Sequence, residues 1–157
     1  ALDRAARVSD GFLASNDMAP LAELISLWNM LRPRLEAYGR DVASFPFVAG
    51  TYLWVSDDPE RDWATLLAPA IAYQSWKYNL WGTDNDQPAP ARPEPGSFQR
   101  DNLLIGTPDE VVARIRAIQA RVPLTEICFW SHLPGIPHDA AAANLERIAR
   151  HVLPAFT

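Results

Sequence analysis

Few side chains in this sequence combine the type and the spacing that chemistry needs. Of the three histidines, only His132 stands where a strand gives way to a loop, directly after Trp130 and Ser131 and ahead of P-G-I-P. An imidazole there could touch a cofactor or substrate; a partly exposed turn histidine explains the same position without function. His138 and His151 read as helix-surface residues. No two histidines have the spacing of a metal motif, so no metal site is expected. Gly106 and Thr107 open a helix, whose free N–H groups and dipole favour an anion such as phosphate. Capping accounts for the same pair, because Pro108 suits the first helical position and Thr107 with Glu110 forms a capping box. Asp109 and Glu110 would also repel an anion. Cys128, the only cysteine, lies in an apolar run without an activating neighbour, which predicts an inert buried thiol. No G-x-G-x-x-G and no P-loop is present, and no catalytic acid or base is identified.

Composition narrows the partners. Hydrophobic residues make up 48% of the 157-residue chain and charged ones 21%, which suits one globular domain and excludes the low-hydrophobicity signature of disorder. A net charge of -5 with a single lysine, Lys77, offers no footprint for nucleic acid. No apolar run approaches the roughly 20 residues that span a bilayer. One cysteine excludes an internal disulfide and fits a reducing compartment, and no signal-peptide pattern opens the chain, so a cytoplasmic location is expected.

The elements that must position these residues alternate strand and helix. Residues 1–7 read as the last turns of a helix, followed by a short strand around G-F-L-A and a turn and cap at Ser15, Asn16 and Asp17. Leu21, Leu24, Ile25, Trp28, Leu31, Leu35 and Tyr38 predict a long amphipathic helix that Pro33 kinks or splits. Residues 45–55 are aromatic and β-branched and predict a second strand. Asp58 and Pro59 start a helix that runs toward Leu80, bent at Pro69. From 82 to 100 the pattern vanishes into a proline-rich loop, read as a lid or a disordered excursion.

A buried strand at residues 103–105 then runs into the capped helix, whose inner stripe is Val111, Val112, Ile115, Ile118 and Val122. Residues 125–131 supply a fourth strand. A last helix from about Asp139 has Leu145, Ile148, Ala149, Val152 and Leu153 as its predicted inner stripe. Four βα units in series make either an open doubly wound sheet or half of an eight-stranded barrel, and pattern alone leaves both open. In either, ligands gather at the carboxyl ends of the strands. That rule selects Ser15, Asn16, residues 56–58, Gly106, Thr107, Trp130, Ser131 and His132 as pocket candidates. Tyr52 and Trp54 join them as aromatic residues on the second strand, with core packing as the alternative.

Three segments carry a family resemblance. R-A-A-R-V-S-D-G-F, L-I-G-T-P-D-E-V, and F-W-S-H-L-P-G-I-P followed by A-R-H-V-L-P-A-F resemble, in order, the C-terminal half of the luciferase-like monooxygenases, with Phe12 in place of a usual tryptophan. The resemblance implies a TIM-type (β/α) barrel, of which about four βα units stand here. It also implies reduced FMN or a reduced deazaflavin as cofactor and a small organic substrate. The early strands and the flavin-phosphate loop have no counterpart in these residues, so the missing N-terminal half or a second copy of the chain is the expected partner, with a noncatalytic half-barrel as the rival reading.

Overall fold

The structure is a computed structural model and describes residues 1–15, 21–81, 83 and 88–157. Asn16, Asp17 and Gly82 lie outside the described residues.

Helix α1 (Leu2–Val8) leads into strand β1 (Phe12–Ser15), and helix α2 (Leu21–Ala37) precedes strand β2 (Phe47–Val55). Asp58 caps a short helix α3 (Pro59–Asp62), accepting from the Arg61 N–H at 3.1 Å. A π-turn at Trp63–Leu67 connects α3 to α4 (Ala68–Trp81). The wide turn ends just before Pro69, which has no N–H to give to the preceding helical turn, so the predicted disturbance is absorbed by a widened turn. Single 3₁₀ turns at Pro95–Ser97 and Arg100–Asn102 interrupt the proline-rich segment. Strand β3 (Leu104–Gly106), helix α5 (Pro108–Gln119), strand β4 (Leu124–Trp130) and helix α6 (His138–Arg147) complete the series, and α6 runs on through a π-turn at Ile148–Val152.

All observed pairings are parallel, and β2 is their hub. It pairs with β1 through residues 47–50, with β3 through 53–55 and with β4 through 47–52. Alternation then assigns two faces. Phe47, Ala49, Leu53, Val55 and Leu104 point into one core with Leu24, Trp28 and Leu31 of α2 and Val111, Ile115 and Ile118 of α5. Tyr52, Trp54 and Ile105 point the other way, under Leu67, Ala70 and Ile71 of the α3–α4 arm and under Leu133 and Ile136 of the turn after β4. That second cover stops short. Leu13, opposite Val48, is 57% exposed, and Trp130, opposite Tyr52, is 44% exposed. The face is therefore closed at the ends of β2 and β3 and bare along β1, the start of β2 and β4.

Four expectations change. Pro33 lies inside an unbroken α2, where neighbouring core contacts from Leu31 and Leu35, both fully buried, hold the helix across the missing bond. The second strand begins at Phe47 rather than Phe45, since pairing with β1 and β4 starts there. Cys128 is exposed, not buried, because it points from β4 onto the bare face. In the last helix, Leu145 and Leu153 are exposed at 43% and 53%; the buried stripe is Ala141, Asn144, Ile148 and Val152. A polar residue in an alanine run hid that register.

Candidate functional site

At the carboxyl end of β2 the backbone ladder is completed by side chains. Ser56 N–H donates to the Gly106 carbonyl at 3.0 Å, whereas Val55 N–H, pointing to the opposite side, donates to Asn144 Oδ1 at 2.8 Å. Asn144 Nδ2 returns a bond to the Leu53 carbonyl at 3.3 Å. One fully buried side-chain amide thus replaces one residue of a parallel neighbouring strand.

Beside it sits Asp62, itself buried. Its carboxylate accepts from Ser56 Oγ at 2.6 Å, from Trp54 Nε1 at 3.2 Å and from Arg61 Nη2 at 2.9 Å. Burial pushes the Asp62 carboxyl upward, but the bonds from Ser56, Trp54 and Arg61 and the Arg61 charge outweigh it, so the group sits below its ordinary value. Trp54 is therefore a core residue whose indole is aimed by a carboxylate. At β3, Thr107 N–H donates to Glu110 Oε2 at 2.8 Å and Glu110 N–H to Thr107 Oγ1 at 3.4 Å, the capping box that the spacing predicts. The bond from Thr107 holds the Glu110 carboxyl below its ordinary value. A carboxylate already occupies this helix start, which leaves poor ground for a phosphate.

Across the sheet, β4 ends at Trp130, with Ser131 half-buried behind it. His132 Nε2 lies 2.8 Å from the Ile136 carbonyl oxygen, and its ring centre is 4.5 Å from that of His138. A carbonyl only accepts, so Nε2 carries a proton and serves the turn. The predicted residues thus fall into two groups. Trp54, Gly106 and Thr107 gather at β2 and β3; Tyr52, Trp130, Ser131 and His132 gather at β2 and β4. Exposed Ser15 stands at the end of β1, opposite Gly50. Among the described residues, no group of three or more His, Cys, Asp or Glu is placed to hold a metal ion, and no helix is long and apolar enough to cross a membrane. Sequence reasoning missed Asp62 and Asn144. The signal for Asn144 was its place at helical spacing between Ala141 and Ile148; Asp62 had none beyond its nearness to Asp58.

Residues 1–124 match the family of luciferase-like monooxygenases. The chain belongs to that family. No curated protein matches it. Among solved structures it is similar to the monooxygenase RslO1 from Streptomyces bottropensis, at 19% identity and a TM-score of 0.73, over 99% of this chain and 45% of that one. It is similar also to the coenzyme F420 dependent tetrahydromethanopterin reductase from Methanopyrus kandleri, at 17% identity and TM-score 0.68, over 99% and 48%. A third is the oxygenating constituent of 3,6-diketocamphane monooxygenase from the CAM plasmid of Pseudomonas putida, in complex with FMN, at 14% identity and TM-score 0.60, over 99% and 45%. The chain spans about half the length of these proteins, and its fold is the matching half of their α/β barrel. Of the two architectures that pattern left open, the family fold is the barrel.

Proposed function

We propose that the chain is the C-terminal half of a flavin-dependent oxidoreductase of the luciferase-like type, a monooxygenase or a close relative, acting on a small organic substrate. The observation that carries the reading is the bare strip at the carboxyl end of β4, where the half-exposed Trp130 adjoins buried Tyr52, on a chain of this family. An isoalloxazine or its deaza analogue is planar and largely apolar, and a site for it is typically aromatic with few polar groups. Trp130, Tyr52 and the side-chain-free Gly50 suit the ring; the Glu110-occupied start of α5 does not suit its phosphate. When bound, reduced FMN or a reduced deazaflavin supplies the electrons. This chain's residues would seat the ring against Trp130 and keep water out through Leu133 and Ile136.

Fluorescence titration of the chain with FMN and with coenzyme F420, alongside native mass spectrometry, tests the reading. Binding that weakens in Trp130→Ala supports it. A chain that binds neither, whether alone or in its assembled form, is the noncatalytic half-barrel, for which the exposed Leu13 already argues. In that case the mass identifies what covers the face, a second copy or a separate N-terminal half.

A further inference from the structure

Beside α4 a cleft of about 440 Å³ opens between that helix, the turn after β4 and the proline-rich segment ahead of β3. Leu66, Pro69, Ala70 and Pro134 give it an apolar wall, Thr65 adds a hydroxyl, and among the described residues Arg92 is the only charged one lining it. The Arg92 guanidinium lies 5.3 Å from the centre of the Tyr73 ring, and its Nη2 donates to the Pro69 carbonyl at 3.3 Å. No carboxylate among the described residues pairs with Arg92; the ion pairs there are made by other arginines.

The guanidinium is also held in place. Trp76 Nε1 donates to the Pro90 carbonyl at 2.9 Å, and Trp76 meets the Tyr73 ring edge-on at 5.9 Å, so the segment carrying Arg92 is fastened to the helix on which the arginine lies. Pro90 and Pro93 flank it and fix the backbone φ on either side. The opposite wall includes Gly135, whose φ of 88° is a conformation that favours glycine. The result is an exposed cation held against an aromatic ring, with donors to spare and no counter-charge among the described residues.

We propose that this cleft binds a small planar carboxylate, of the size of benzoate, with Arg92 as its counter-ion. The volume is near the lower part of the roughly 300–1,000 Å³ range of ligand sites, which suits a single ring and excludes a dinucleotide. A guanidinium presents a flat fork of N–H donors that matches a carboxylate edge to edge, and its prior ordering on Tyr73 lowers the entropy lost on binding. The apolar walls then take the ring. A phosphate would meet one cation and apolar walls, leaving most of its oxygens without donors. This inference goes beyond the flavin reading and needs no flavin to test.

The test is calorimetric titration of the intact chain with benzoate, with neutral benzamide and inorganic phosphate as competitors. Benzoate is expected to bind one to one, more weakly at high salt, and at least about tenfold more weakly to Arg92→Gln, since bonds to charged groups are the stronger ones. Benzamide, which lacks the charge, and phosphate, which lacks the ring that Leu66, Pro69 and Pro134 would take, should each compete at least about tenfold less well. Pro134→Trp, which fills the cleft and keeps the arginine, should also remove binding. Arginine Nε–H resonances followed by NMR during the titration should single out Arg92. Absence of benzoate binding, equal affinity in Arg92→Gln, equal competition by benzamide or phosphate, or binding that survives Pro134→Trp would each overturn the proposal. The thermal melting of both variants, compared with the parent chain, separates lost binding from lost fold.

Discussion

Asn144 satisfies two buried backbone groups with one amide, and no hydrophobic residue of its size repeats that. Asn144→Leu leaves the Val55 N–H and the Leu53 carbonyl without partners in the core, and a loss of about 2–4 kcal/mol in urea unfolding is expected. Asn144→Asp keeps the acceptor, loses the donor and buries a charge, so it should fare no better. Asp62 makes a different prediction, one of pH. Its folded carboxyl titrates below the unfolded value of about 3.9, so its contribution is present above that value and disappears as pH falls through the folded one. Asp62→Asn should be less stable near neutrality by about 1–3 kcal/mol, and should lose less on acidification below pH about 4 than the parent chain. Thermal melting across that range would show it; parallel curves for the two proteins would refute the assignment. These residues were hard to foresee because sequence patterns register apolar spacing, whereas a buried polar residue is defined by partners far along the chain.

Helix α5 shows the other limit, an element whose start was written out in full. Thr107, Pro108 and Glu110 act within one turn, so their meaning is local and legible. What the pattern did not reveal is the dependence on Gly106. A Cβ at that position would lie 2.7 Å from Glu110 Oε2 and 3.0 Å from Glu110 Cβ. Gly106→Ala should therefore push Glu110 out of the cap and cost about 1 kcal/mol, the usual worth of a cap. In a Glu110→Ala background most of that cost should vanish, and chemical denaturation of the four proteins of that cycle measures the coupling. Additive losses would mean that Gly106 matters for some other contact. Helix α2 failed the opposite way: Pro33 reads locally as a break, but buried Leu31 and Leu35 on either side decide the outcome through tertiary packing.

Across the whole molecule, the strand-helix alternation and the family fold were readable because periodicity and order survive in the sequence. The pairing of β4 with β2 was not, and neither was the division of one sheet face into a covered end and a bare strip, since both depend on where α4 lies. The bare strip has a physical consequence: exposed Leu13 and Trp130 beside open strand edges favour self-association. Sedimentation velocity of the chain alone should show concentration-dependent oligomers, and Leu13→Glu should shift them toward monomer with circular dichroism unchanged. A monomer at all concentrations would contradict this account of the face. Asn144 also sets a clock. Val55 leaves the ribosome 89 residues ahead of the side chain that completes it. At about 5–20 residues per second, that interval is about 4–18 seconds. Throughout it the end of β2 has one edge unsatisfied, so nascent chains stalled before residue 144 should be the ones most readily captured by chaperones.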